Sequence, residues 1–183
     1  MAEVTGVVLA AGAGTRLGRP KAELVVAGER LLDRAVRELR AAGCTEVVAV
    51  VRAGTPVRDA VAVVNPDPDR GMGSSLRLAL AAASGERAVI VLVDTPGIDA
   101  DSIRSVLDVE APFVIARYGD RRGHPVAIER ALWTEVAALA EGDQGARPFM
   151  RAHPELVTEV ACSADPSDID TPDDLAAWTR QRR

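Results

Sequence analysis

The chain has 183 residues, 48% hydrophobic and 27% charged, with a formal net charge of −5 at pH 7, so it offers no basic field and nucleic acid is not an expected partner. No apolar run approaches the ~20 residues of a membrane span, and no basic segment followed by an apolar stretch opens the chain, which points to a cytoplasmic protein with no membrane partner. Cys44 and Cys162 are too few and too far apart for a disulfide framework or a metal knuckle, and nothing resembling a linker divides residues 1–183, read as a single domain.

Residues 4–9 are β-rich and predict a first strand. The run from Leu9, Ala10, Ala11 and Gly12 through Gly14, Arg16 and Gly18 ends at Lys21, the only lysine in a chain with 21 arginines. Glycine amides approach an anion with no Cβ in the way, and a compact ammonium suits a phosphate inside a tight loop better than a guanidinium fork. Residues 31–42 then follow the helical period, so the segment reads as strand, glycine loop and helix, a place for a triphosphate. Two better-known loops do not match. Walker A needs Gly-Lys-Ser/Thr, whereas Lys21 stands between Pro20 and Ala22; the dinucleotide fingerprint needs G-x-G-x-x-G, whereas Gly12, Gly14 and Gly18 are spaced one residue too wide.

Further strands are predicted at 47–51 and 61–64, before a second glycine-rich turn from Asp69 to Leu76 that enters a helix at 75–83. There Gly73, Ser74 and Ser75 either start the helix or present amides and hydroxyls to a base or ribose. The fully apolar run 88–93 reads as a central strand and ends at Asp94, a carboxylate at a strand mouth where a hard cation is readily held. A helix at 100–107 and strands at 113–116 and 126–128 follow, with Gly123-His124-Pro125 as a substrate-side loop in which His124 suits a polar contact. Helices at 130–140 and 146–152 flank a second such loop, from Gly142 through Asp143 to Arg147. After a late strand at 157–161, a helix at 172–180 has Thr171 as N-cap, Pro172 in its first turn, and Asp173 and Asp174 complementing its dipole. Asp168 and Asp170 precede that helix and are free to face elsewhere.

The βα alternation predicts an α/β fold with a mostly parallel sheet, helices on both faces and ligands beyond the carboxyl ends of the strands. The loop from Leu9 to Lys21, the Asp94-Thr95-Pro96 turn, Gly71 to Leu76, Gly123-His124-Pro125, Gly142 to Arg147 and Asp168 to Leu175 occur in the order seen in MobA-like nucleotidyltransferases, which the chain resembles over nearly its whole length. The pattern is nearest to the molybdenum cofactor cytidylyltransferase branch. The resemblance implies a three-layer, Rossmann-like nucleotidyltransferase fold and Mg²⁺-dependent transfer of a nucleotidyl group, CMP or GMP, from a nucleoside triphosphate to a phosphorylated acceptor such as molybdopterin, with release of pyrophosphate.

Carried onto this sequence, the resemblance makes Gly12, Gly14, Arg16 and Lys21 the triphosphate loop, Asp94 and Asp170 the metal ligands, and Ser74 and Ser75 part of the nucleotide side. His124, Asp143 and Arg147 fall on the acceptor side, and Arg16, Lys21 and Asp94 carry catalysis. Thr95 stands where that branch usually has Gln, and Leu17 where Met is common, so the metal assignment carries over and the acceptor's identity does not. Similar sequences are also named as oxidoreductases of nitrogen heterocycles. An NADP-dependent enzyme would bind pyrophosphate in the glycine loop and use Arg52 for the 2′-phosphate, but it leaves Asp94 and Asp170 unexplained. A nucleotide-binding module without turnover fits only if those two aspartates lie far apart.

Overall fold

Apolar runs of five to seven residues without a helical period fold into strands that are dry on both faces. The structure is a computed structural model and describes residues 3–181. Its elements begin with β1 (Val4–Ala10), the short pair β2 (Val25–Val26) and β3 (Glu29–Arg30), α1 (Leu31–Ala41), β4 (Glu46–Val51), β5 (Val61–Val64) and α2 (Met72–Ala82). They continue with β6 (Arg87–Leu92), α3 (Ala100–Leu107), β7 (Phe113–Tyr118), β8 (Arg121–Glu129), α4 (Trp133–Leu139), α5 (Arg147–Ala152), β9 (Val157–Ala161) and α6 (Pro172–Gln181).

Seven strands form one sheet in the order β5-β4-β1-β6-β8-β7-β9, in which β8 alone runs antiparallel to its neighbours. Successive side chains alternate between two cores. Val7, Leu9, Val48, Val50 and Ile90 pack with residues of α2, α4 and α5, while Val8, Ala10, Val47, Ala49, Val51 and Val91 pack with residues of α1, α3 and α6. Each large aliphatic side chain buried in this way stabilises the fold by about 1.5–3 kcal/mol relative to its exposed form, before conformational entropy is subtracted.

Register places the functional loops side by side. Leu9 of β1 pairs with Val50 of β4 and Leu92 of β6, so the three strands end nearly level. From β1 the chain fills β4 and β5 on one side and then returns to β6 on the other, which opens a crevice beyond the carboxyl ends of β1 and β6.

Three local expectations need correction, and one element is unexpected. Helix α2 starts at Met72 rather than Ser75, with Gly71 as its N-cap at φ 89. Helix α4 starts at Trp133, after a 3₁₀ turn over Arg130–Leu132. Gly123, His124 and Pro125 lie inside β8 rather than in a loop, because β7 and β8 form a hairpin turning at Gly119, and a bulge between Ile115 and Ala116 lets proline sit in the strand. The β2–β3 hairpin, turning at Ala27 and Gly28 with positive φ, is too short to show a period in the sequence.

Candidate active site

The glycine loop leaves the end of β1 and folds back on itself. Gly14 has φ 59, and a Cβ there would lie 2.1 Å from the Arg19 carbonyl oxygen, so only glycine allows the return. Pro20 then leads into a 3₁₀ turn over Lys21–Glu23, anchored by the buried Ala22 and Leu24. The Lys21 stem runs past Gly12, whose added Cβ would stand 3.9 Å from Lys21 Cδ. The ammonium does not stand free in the loop as the sequence suggests. Lys21 Nζ donates to Asp94 Oδ2 at 2.6 Å and also to Asp170 Oδ1, bringing together three residues that are 73 and 149 positions apart in the chain.

Both carboxylates are held by backbone. Asp94 follows β6, and its carbonyl oxygen accepts the Ile169 N–H at 2.8 Å; the fully buried Ile169 side chain fixes that segment against the core and brings Asp170 to Lys21, although Asp170 does not line the glycine-loop cleft. Behind it, Thr171 and Asp174 cap α6 reciprocally: the Thr171 N–H donates to Asp174 Oδ2 at 2.8 Å and the Asp174 N–H to Thr171 Oγ1 at 3.2 Å. The Thr171 cap and the first-turn Pro172 stand as the sequence indicates.

Burial pushes the Asp94 carboxyl above its ordinary value, with Lys21 pulling the other way and Asp168 and Asp170 adding to the rise. For Lys21, burial alone would lower the value, and the two aspartates outweigh it and hold the ammonium charged. Asp94 Oδ1 is buried and has no hydrogen-bond partner among the described residues. A carboxylate oxygen in that state lacks the partner that burial normally demands.

A cleft of about 390 Å³ opens above this cluster, lined among others by Leu9, Ala11, Gly12, Lys21, Ser75 and Asp94. Arg52 and Asp69 also line it, hydrogen-bonded to each other at 3.2 Å, with Arg52 donating in addition to the Ala11 carbonyl oxygen. The sequence points to Arg52, after the second strand, only as a 2′-phosphate contact in the dinucleotide alternative, and the structure puts it on this cleft. Not all expected residues reach the cleft. Ala10 is buried in the core, and Gly73 packs where a Cβ would stand 2.9 Å from the backbone of Ala140 and Glu141. Ser74 is spent internally, donating to Gly71 O and accepting from Asn65 Nδ2, which also donates to Ser75 Oγ. Gly14 shapes the loop without lining the cleft, and Arg16 is exposed, with no hydrogen bond or ion pair among the described residues.

A second cavity of about 140 Å³ adjoins the first and shares Leu9, Met72, Leu92 and Asp143 with it. Its walls are mostly aliphatic, and His124, Arg122, Gln144 and Arg147 supply the polar atoms. Burial, aided by the Arg147 charge, brings the His124 imidazole down to about 4, so it is neutral near pH 7. Asp143 accepts the Met72 N–H at 3.4 Å at the start of α2, close to Gly71, where a Cβ would meet the Gly142 carbonyl carbon at 2.5 Å. His124, Asp143 and Arg147 therefore gather around one cavity, and the glycine loop, Ser75, Lys21 and Asp94 around the other.

The sequence profile of the MobA-like NTP transferase domain matches residues 6–157. A protein of Paenarthrobacter nicotinovorans named nicotine blue oxidoreductase is 41% identical over 92% of both chains. A molybdenum cofactor guanylyltransferase of Rhizobium leguminosarum bv. trifolii is 30% identical over 97% of this chain and 92% of its own. Among solved structures, Rv0371c of Mycobacterium tuberculosis superposes with a TM-score of 0.85 at 32% identity, covering 97% of each chain. Its complex with manganese gives 0.81 at 29% identity, covering 97% of this chain and 98% of that one. Joined to a mostly parallel sheet with its crevice at the β1–β6 switch, these matches show that the chain belongs to the MobA-like NTP transferase family.

Proposed function

We propose that this protein transfers a nucleotidyl group, CMP or GMP, from a nucleoside triphosphate to a phosphorylated small-molecule acceptor and releases pyrophosphate. The observation that carries this reading is the meeting of Lys21 and Asp94 on the wall of the glycine-loop cleft, with Asp170 bound to the same ammonium and a second cavity opening directly beside the first.

The residues fit a Mg²⁺ cofactor. Mg²⁺ takes one or two carboxylates and completes its shell with phosphate oxygens and water, and the unpartnered Asp94 Oδ1 together with Asp170 offers such a pair. When bound, the ion supplies charge neutralisation at the phosphates. That a mycobacterial relative was solved in complex with manganese supports the use of a divalent ion.

The chain's own groups do the rest. Amides of the loop around Gly12 cradle the triphosphate, and Lys21, joined by Arg16 of the same loop, stabilises the leaving pyrophosphate. An acceptor phosphate monoester is already an anion near neutral pH, so its oxygen attacks the α-phosphorus in line without a side-chain base, and catalysis rests on positioning and charge. The Arg147 fork suits the acceptor's anionic group. Mostly aliphatic walls with a neutral His124 favour an acceptor with an uncharged ring body over a polyol phosphate.

The 41% identity to a protein named as an oxidoreductase keeps a redox reading in view, since the same walls would take a flat heterocycle. One experiment separates the two: incubation with each NTP, Mg²⁺ and a panel of phosphorylated acceptors, measuring pyrophosphate, beside NADPH oxidation with heteroaromatic acceptors. Pyrophosphate that depends on both NTP and acceptor is expected. NADPH oxidation with no consumption of NTP overturns the proposal.

A further inference from the structure

We propose that Lys21 is the resident cation of the Asp94–Asp170 pair and yields that place only to a divalent ion arriving together with a triphosphate, so that metal alone is refused. The inference rests on the nucleotidyl-transfer reading and adds an order of binding to it.

Both aspartates bind the same ammonium, so Lys21 holds together the two carboxylates that a shared metal would use. A dication on Asp94 Oδ1 and Asp170 would stand beside an ammonium held by the same two carboxylates, and repulsion between the two cations at that range would expel Lys21. Expelled by metal alone, the ammonium would lose the two aspartates that keep it charged against its burial. A triphosphate in the loop supplies a replacement anion, because the Lys21 stem already runs past Gly12 on the loop floor. The 3₁₀ turn and the buried Ala22 hold the Lys21 backbone in place, so the move needs only side-chain torsions. The substitute is also incomplete: Lys21 leaves Asp94 Oδ1 without a partner, and so does not compete on equal terms with an ion that can take that oxygen.

Because Lys21 is the only lysine, carbon-13-labelled lysine gives a single side-chain signal in the intact protein. Millimolar Mg²⁺ alone should leave that signal unmoved, and Mg²⁺ with a non-hydrolysable triphosphate should shift it saturably. A saturable shift with Mg²⁺ alone, or with the triphosphate alone, overturns the paired exchange and leaves nucleotidyl transfer standing. No shift with the pair overturns both. As a second readout, Mn²⁺ affinity without nucleotide, followed by electron paramagnetic resonance, should rise at least about tenfold in Lys21→Met. That gain should vanish when Asp94→Asn is added. Unchanged affinity in Lys21→Met contradicts the proposal.

Discussion

At Lys21 a charge-conserving change should damage almost as much as a charge-removing one. The ammonium fits between Asp94 and Asp170 with its stem against Gly12, and a guanidinium fork is too broad for that slot. Lys21→Arg should lower kcat/KM at least about tenfold, about 1.4 kcal/mol in the transition state, with unchanged circular dichroism. Full activity would make the lone lysine an accident of composition. Asp94→Asn should abolish turnover and leave the fold intact, since it removes a charge beyond the end of β6 and no core packing; pyrophosphate release near the wild-type rate would contradict its role. His124 gives a pH prediction. Its folded value lies below its ordinary one, so the unfolded chain binds more protons between about pH 4 and 6.5, and stability is lost as the pH falls through that window. Relative to His124→Gln, the wild type should lose up to about 2–3 kcal/mol across it, read by urea unfolding. Lys21 and Asp94 were legible as chemical outliers in the sequence. Their ion pair was not, because it joins residues 73 apart through tertiary packing alone.

Among the elements, the loop after β1 carries the sharpest backbone requirement. Gly14→Ala puts a Cβ into the Arg19 carbonyl at a left-handed φ, costing about 1–2 kcal/mol from conformation before any clash is counted. Thermal unfolding should register the loss, and affinity for a triphosphate analogue should fall with it; native affinity would mean that the loop shape is irrelevant to binding. Strands β5 and β9 and helix α3 end where the residue pattern ends, because alternation, helical period and caps such as Asp99, which accepts the Ser102 N–H, are local signals. The start of α2 was hidden. Gly71 and Gly73 mask the first turn, and Asp143, 71 positions away, supplies the acceptor for the Met72 N–H.

For the molecule as a whole, a mostly parallel sheet with its ligands beyond the carboxyl ends of the strands follows from βα alternation, whereas the strand order that puts the β1 and β6 loops at one crevice is set by tertiary pairing. The division into two adjoining cavities does not follow from alternation either, since the second is walled by side chains from β1, α2, β6, β7, β8 and α5, which meet only in the folded chain. The most direct test of the account is mass spectrometry of the product formed from an NTP and a phosphorylated acceptor. It should show the acceptor joined to one nucleoside monophosphate, with one pyrophosphate released per adduct, and no adduct from Asp94→Asn. Failure of the wild type to form an adduct with any NTP and acceptor while it oxidises NADPH, or an adduct from Asp94→Asn at the wild-type rate, would contradict it.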